Sequence, residues 1–349
     1  MINLEVFKVM MFAALSFVIA WAWLPLLYKL LRRLRIEKKN RDEIHAPIFS
    51  KMHKGKEGML TMGGILIWFT TLVVALGAYY LSVFIPIDFF QKLNFLTRSQ
   101  VFLPLGALVA SALVGVVDDY YTVRKLGPKG GGLSMRYQLL LCTCIAVVGA
   151  WWFYSKLGWD ILHVPFVGDF AIGLWFVPFF IFIIVATSFS VNEIDGLDGL
   201  AGGTLLSAFG AYGAIAFIQG RYDLATFCAV IIGALLAFLW FNIYPAKFMM
   251  GDTGSMSLGV TLGIVAMLTN SALLLPVIGF LLVLESGSVI IQMVSKKVFK
   301  KKVFLSAPIH HHLEAKGWKE PTIVMRFWVI SGIMAVVGIV ITLVDRGLY

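Results

Sequence analysis

Long apolar stretches recur ten times along the chain, separated by shorter runs in which charged residues and glycines collect. They fall at Leu4 to Leu31, Met59 to Phe84, Gln100 to Val117, Tyr137 to Ser155, Gly173 to Ser190, Leu200 to Ile218, Leu224 to Asn242, Ser255 to Thr269, Ala272 to Ser295 and Ile323 to Val344. A helix needs about 20 apolar residues to cross roughly 30 Å of hydrocarbon, and only helices or closed barrels satisfy their own backbone there. The pattern predicts an all-α polytopic membrane protein with about ten transmembrane helices. The gaps are short, so residues 1–349 are read as a single integral-membrane domain. The first span lacks a basic leader and a small-residue cleavage site after a short apolar core, so it is expected to be retained. One gap, Lys156 to Gly173, alternates over Asp160–Asp169 enough to predict a short hairpin, with His163 as a surface residue.

Composition sharpens this picture. With 60% hydrophobic residues, 14% charged and a mean hydropathy of +0.88, the chain is not an ordinary soluble globule. Its Lys and Arg concentrate in the gaps after the odd-numbered spans, which the positive-inside rule assigns to the cytoplasm. Both termini are then outward, and the net charge of +10 follows from topology without a nucleic-acid partner. A basic cytoplasmic rim attracts anionic membrane lipid and anionic substrates. Cys142, Cys144 and Cys228 all lie in apolar runs, where neither a disulfide framework nor a zinc site is expected.

Candidate chemistry begins with the acids. The stretch Ser190 to Gly203 sets Glu193, Asp195 and Asp198 among glycines between two spans. A carboxylate at mid-bilayer costs roughly 2.5–3.5 kcal/mol on insertion scales, so acids retained between spans face water, a metal or a substrate. Asp118, Asp119 and Asp252 also fall at span ends, on the level of Asp195 and Asp198 and on the predicted cytoplasmic side. Carboxylates gathered on one face repel unless a cation joins them, and hard oxygen donors suit Mg²⁺ or Mn²⁺. Magnesium takes one or two protein carboxylates and completes its shell with water and phosphate, which leaves the remaining acids other work.

Other segments suit phosphate. Gly251-Asp-Thr-Gly-Ser255 opens a span, where free backbone N–H groups favour anionic oxygens. Gly202-Gly203 permits close approach of a neighbour or a substrate, and equally plain helix packing. Gly127-Pro-Lys-Gly-Gly-Gly132 lacks the setting of a nucleotide loop and reads as a turn carrying Lys129 as a phosphate contact. The last basic gap contains His310, His311 and His312. Adjacent residues do not share a helix face, so three ligands on one ion are not expected, and hydrogen bonding or charge toward a diphosphate is the favoured reading.

Several motifs in one order carry a resemblance. Val117-Asp-Asp-Tyr120, Asn192 with Asp195-Gly-Leu-Asp-Gly-Leu-Ala201, Phe238-Leu-Trp-Phe-Asn242 leading to Gly251-Asp-Thr-Gly-Ser255, and Ala307-Pro-Ile-His-His-His312 before Lys316-Gly-Trp318 resemble the phospho-N-acetylmuramoyl-pentapeptide transferases. The match runs from Thr61-Met-Gly-Gly64 to Arg326-Phe-Trp328. The resemblance implies a ten-helix bacterial inner-membrane enzyme that is Mg²⁺-dependent and has a cytoplasmic-side active site. It implies transfer of phospho-MurNAc-pentapeptide from its UDP carrier to undecaprenyl phosphate, forming lipid I and UMP in peptidoglycan synthesis. A homodimer is implied by the family alone.

Carried across residue by residue, the resemblance gives Asp252 as the metal aspartate and Asp118 as the acid toward the lipid phosphate. Asp119 would help to hold the metal or the diphosphate. Asn192, Asp195, Gly196, Leu197 and Asp198 fall on the nucleotide segment, with Asn242 as a neighbouring contact. Lys56 and Thr61 match the entrance, and His311 and His312, with His310, stand near the diphosphate. The chain departs from the family pattern at Glu193, at Met249 in place of a base-stacking phenylalanine with Phe248 adjacent, and at Thr122 in place of a basic residue. Direct displacement on the β-phosphate and a covalent aspartyl-phosphate route both remain open. Two other functions do as well: a sister transferase using UDP-GlcNAc, and an ion-coupled transporter, which would place its acids at mid-membrane.

Overall fold

A computed structural model describes residues 2–37, 58–85, 87–97, 100–127 and 131–347. Thirteen α-helices and one hairpin account for most of them. In order these are α1 (Ile2–Arg33), α2 (Ile65–Phe84), the short α3 (Asp88–Leu93), α4 (Phe102–Arg124), α5 (Met135–Trp151), β1 (Ile161–Val164), β2 (Gly168–Ala171), α6 (Phe176–Ile194), α7 (Leu200–Ile218), α8 (Tyr222–Asn242), α9 (Asp252–Leu268), α10 (Leu275–Ile278), α11 (Phe280–Val298), α12 (Ile309–Ala315) and α13 (Glu320–Asp345).

Eight of these helices are long and apolar enough to cross a membrane, and α10 with α11 makes a ninth if that pair, bent by 84°, is one span. The tenth expected span is α9, which is shorter at 17 residues. At 1.5 Å per residue it is about 25 Å long. It is buried almost throughout, wedged between α4 and α6. Away from water its hydroxyls must find partners inside the helix. Ser257 donates to the carbonyl of Thr253 and Thr261 to that of Ser257, each at 2.7 Å.

The predicted hairpin is present, with His163 paired to Asp169 across the two strands. Its ring lies 2.6 Å from the Asp169 carboxylate and 2.6 Å from that of Asp345, the last residue of α13. His163 is therefore a clamp between the hairpin and the end of the chain. Lys8 of α1 pairs with Asp223 at the start of α8, and Arg221 lies over Trp159 beside the hairpin. Both ends of the described chain thus sit at the hairpin end of the bundle. Asp118, Asp119, Asn192 and Asp252 collect at the opposite end.

Two boundaries differ from expectation. Residues 59–64, expected to begin the second span, are not helical: Leu60 pairs with Phe248, Met62 takes a left-handed φ of +65°, and Gly63-Gly64 turn into α2. Thr61 N–H donates to Ile36 O at 3.0 Å, Met249 N–H to Leu60 O at 2.8 Å, and the N–H groups of Gly63 and Gly64 donate to Met249 O and Met250 O at 2.8 Å. A side chain at Gly64 would stand 2.3 Å from the Cα of Gly254, so the glycine allows the two backbones to touch. Helix α4 also continues past Val117 to Arg124, so Asp118 and Asp119 project from a helix rather than a loop. The small pair Gly202-Gly203 serves packing: added Cβ atoms would meet Leu239 at 2.7 Å and Trp328 at 2.1 Å. Among the described residues the cysteines are free, with Cys142 and Cys228 buried.

Candidate active site

The site is built around the first turn of α9. A helix start leaves backbone N–H groups without intrahelical acceptors, and here α4 supplies them. Asp119 accepts from Asp252 N–H at 3.1 Å through Oδ1 and from Thr253 N–H at 3.0 Å through Oδ2. Gly115, one turn earlier on α4, makes the approach feasible, because a Cβ there would lie 2.4 Å from the Asp252 carbonyl oxygen. Gly251 adopts φ +73°, and a side chain on it would collide with Asp119 and with the Thr61 hydroxyl. The motif Gly251-Asp252 is thus required by the backbone as well as by chemistry.

Two further acids and an amide close on the same turn. Asp195 Oδ2 accepts from Gly251 N–H at 3.2 Å, and Asn192 donates to Asp252 Oδ1 at 3.0 Å. Asp118 is within hydrogen-bonding reach of Asp252. Its carboxylate also accepts from Leu133 N–H and from the Gln138 amide. Asp118 and Asp119 are only 1% and 5% exposed, so like charges are held together in a place that water screens poorly. Among the described residues no three His, Cys, Asp or Glu groups form a ready-made metal cage. A hard cation that relies on one or two carboxylates and takes its other oxygens from water and phosphate does not need one.

Other predicted residues do different work. Asn242, 3% exposed, accepts from Gly199 N–H at 3.0 Å and donates to Phe248 O at 2.9 Å, which ties two loops together. Asp198 accepts from Ala246 N–H at 3.0 Å, and its own N–H donates to Glu320 at 2.7 Å. Leu197 is buried. These three hold the back of the site. Phe248 packs against Phe238 and Phe241, and Met249 is buried beside it, so neither presents an exposed face for a base. Lys56 and Lys129 lie outside the described residues.

The histidines diverge, as adjacency requires. His310 is fully buried, with Nδ1 2.9 Å from Glu285 of α11. Its Nε2 is 2.2 Å from where a Cβ on Gly196 would stand. His311 Nδ1 lies 2.7 Å from Glu314, and His312 Nδ1 accepts from Leu305 N–H at 3.1 Å. His310 thus lies against the Asp195-Gly196 turn.

Glu285, Gln138 and Gln292 did not stand out from the sequence. Gln292 accepts from Val303 and Phe304 N–H groups at 3.0 Å and so shapes the loop that leads to the histidines. The signal for Glu285 was present: it is an acid inside an apolar span, which is costly unless partnered.

Residues 101–270 match the model for glycosyl transferase family 4, a region that includes every acid at the α9 turn but not the histidines. Over 97% of its length the chain is 35% identical to phospho-N-acetylmuramoyl-pentapeptide-transferase of Chloroflexus aggregans, covering 90% of that protein. It is 40% identical to the same-named protein of Geobacillus sp. strain WCH70, with 94% of this chain and 95% of the relative aligned. The chain belongs to the phospho-N-acetylmuramoyl-pentapeptide-transferase family. A Geobacillus thermodenitrificans member is 38% identical over 94% of the chain and 96% of its own length. Members of this family thus match the chain on both sides of the glycosyl transferase region, including the stretch that carries Glu285 and His310–His312.

Proposed function

We propose that the protein transfers phospho-MurNAc-pentapeptide from its UDP carrier to undecaprenyl phosphate, releasing UMP and forming lipid I at the cytoplasmic face of a bacterial inner membrane. The observation that carries this reading is the convergence of Asp118, Asp119, Asp195 and Asp252 on the amino end of α9, at one end of a membrane bundle. Acids at one end of a bundle, rather than at mid-membrane, fit chemistry on a lipid headgroup better than ion-coupled transport.

In this reading Asp252 and Asp119 would hold Mg²⁺. When bound, such an ion neutralises charge on a diphosphate and polarises its oxygens. Asp118, held by Leu133 and Gln138, orients the acceptor phosphate and takes its proton, so that a lipid phosphate oxygen attacks the β-phosphate of the nucleotide sugar. Asn192 fixes Asp252, and Asp195 fixes the Gly251 peptide, so the α9 N–H groups and the acids keep their places while charge shifts. The histidines stand at the leaving UMP.

The test is UMP release by the purified protein given both substrates, with and without Mg²⁺, and with UDP-GlcNAc as competitor. Release that requires undecaprenyl phosphate supports the reading. Equal use of UDP-GlcNAc would favour a sister transferase, and a trapped phosphoaspartate in the absence of lipid would replace direct displacement by a covalent route.

A further inference from the structure

Glu285 stands in the second turn of α11, the longer arm of the bent helix pair, and is 0% exposed. A buried carboxylate is tolerated only where hydrogen bonds or an opposite charge replace water. Here its Oε2 lies 2.9 Å from His310 Nδ1 and 3.5 Å from His310 N–H. Oε1 has no hydrogen-bond partner among the described residues, and neither does His310 Nε2. The first contact settles how the ring is used. A carboxylate facing Nδ1 keeps a proton there, as in the carboxylate–histidine pairs that fix imidazole orientation elsewhere.

The second ring nitrogen is aimed. Nε2 points at Gly196, the residue after Asp195, at a distance that no side chain on residue 196 would permit. The turn is itself drawn tight, with Gly196 N–H donating to Ile194 O at 2.9 Å. A buried, unpartnered ring nitrogen against a glycine peptide, beside a cluster of acids, is an atom kept for something that is not protein. With Nδ1 held on the carboxylate, Nε2 is the ring atom left to meet a ligand.

We infer that Glu285 is a positioning residue that acts through His310, setting the imidazole so that Nε2 faces a phosphate oxygen of the nucleotide over Gly196. This rests on the phosphotransfer reading above. The sugar–nucleotide diphosphate is the ligand class that brings anionic oxygens to this place.

The test joins a spectroscopic readout that needs no substrate to a kinetic one. In ¹⁵N-histidine-labelled protein, the resonances missing from H310N belong to His310. The expected wild-type signature is a protonated Nδ1, kept in E285Q, whose amide oxygen still accepts, and lost in E285L. For UMP release, E285L is expected to lower kcat by about 10–100-fold, the range for loss of a residue that orients a catalytic ligand. KM for both substrates should change little, E285Q should be intermediate, and E285L combined with H310A should be no slower than H310A alone. A neutral His310 protonated at Nε2 in the wild-type protein would overturn the proposal whatever the activity. So would E285L with an unaltered kcat, or a double variant whose losses multiply. If E285L does not fold, E285Q and the wild-type spectrum still decide. If the wild-type protein releases no UMP, the functional reading fails while the spectrum continues to test the pair.

Discussion

Asp119 Oδ1 accepts a hydrogen bond from the backbone nitrogen of Asp252 at 3.1 Å, so one member of the acid cluster caps the helix that carries another. Two adjacent aspartates on α4 are thereby separated in role. Asp119 binds the start of α9, while Asp118 faces Leu133, Gln138 and the Asp252 side chain.

Loss of that cap should cost stability as well as activity. Asp119→Ala removes acceptors from the Asp252 and Thr253 N–H groups, and each buried donor left unpaired costs about 1–3 kcal/mol. The unfolding temperature in detergent is expected to fall for Asp119→Ala, which frees two backbone N–H groups, and less far for Asp118→Ala, which frees that of Leu133 and the Gln138 amide, with UMP release lost in both. Equal unfolding temperatures for Asp119→Ala and the wild type would refute the capping role.

Gly196→Ala is expected to disable the protein without unfolding it. The new methyl group would displace the His310 ring, and a shift of about 1 Å in a catalytic group can cost about 100-fold in rate. Gly210→Ala on α7 is the control, because nothing lies within 4 Å of a Cβ there. Rates of UMP release for the two variants are compared; a Gly196→Ala rate equal to that of Gly210→Ala would show that His310 is not held against this turn for catalysis.

Asn242, a substrate contact by resemblance, ties Gly199 to Phe248 through its amide. Asn242→Ala should therefore lower the unfolding temperature, with about 1–3 kcal/mol lost for each buried backbone group that goes unpaired. A raised KM for the nucleotide at unchanged stability would instead restore the substrate role.

At the other end of the bundle, His163 gives a pH-dependent clamp. Partial burial disfavours its charged form, but the carboxylates of Asp345 and Asp169 outweigh that effect and Arg346, raising its pKa above the ordinary 6.5. A histidine whose folded pKa is raised stabilises fully below the unfolded value and loses that contribution as pH climbs through the folded one. The unfolding-temperature difference between the wild type and His163→Gln should therefore be largest below about pH 6.5 and shrink above it. A difference independent of pH between 5.5 and 8.5, roughly a unit or more on either side of that value, would count against the clamp.

Much of this was legible in the sequence because membrane solvent leaves few choices. Ten apolar runs gave ten helical segments, and the alternation around His163 gave a hairpin. The acids were legible as a group because charge near lipid must be partnered. Their division of labour was not: that Asp119 also caps a helix depends on Gly115 and Gly251 letting α4 and α9 touch, a matter of three dimensions. Glu285 does not stand out in the sequence because a single acid in a span has meaning only with its partner, and His310 lies 25 residues further along. That residues 59–64 are not helical is hidden by their apolar composition, since their backbone bonds go to Ile36 and to residues 248–250, far away in sequence.

The most direct test of the central claim is the lipid-linked product formed from UDP-MurNAc-pentapeptide and undecaprenyl phosphate, quantified by mass spectrometry for the wild type beside Asp252→Asn with Mg²⁺ present. The wild type is expected to form the undecaprenyl diphospho-sugar with one UMP per product. The folded variant, which keeps the Asp252 N–H bond to Asp119, is expected to form none above background. Product made by Asp252→Asn at the wild-type rate, or no product from the wild type, would contradict the account.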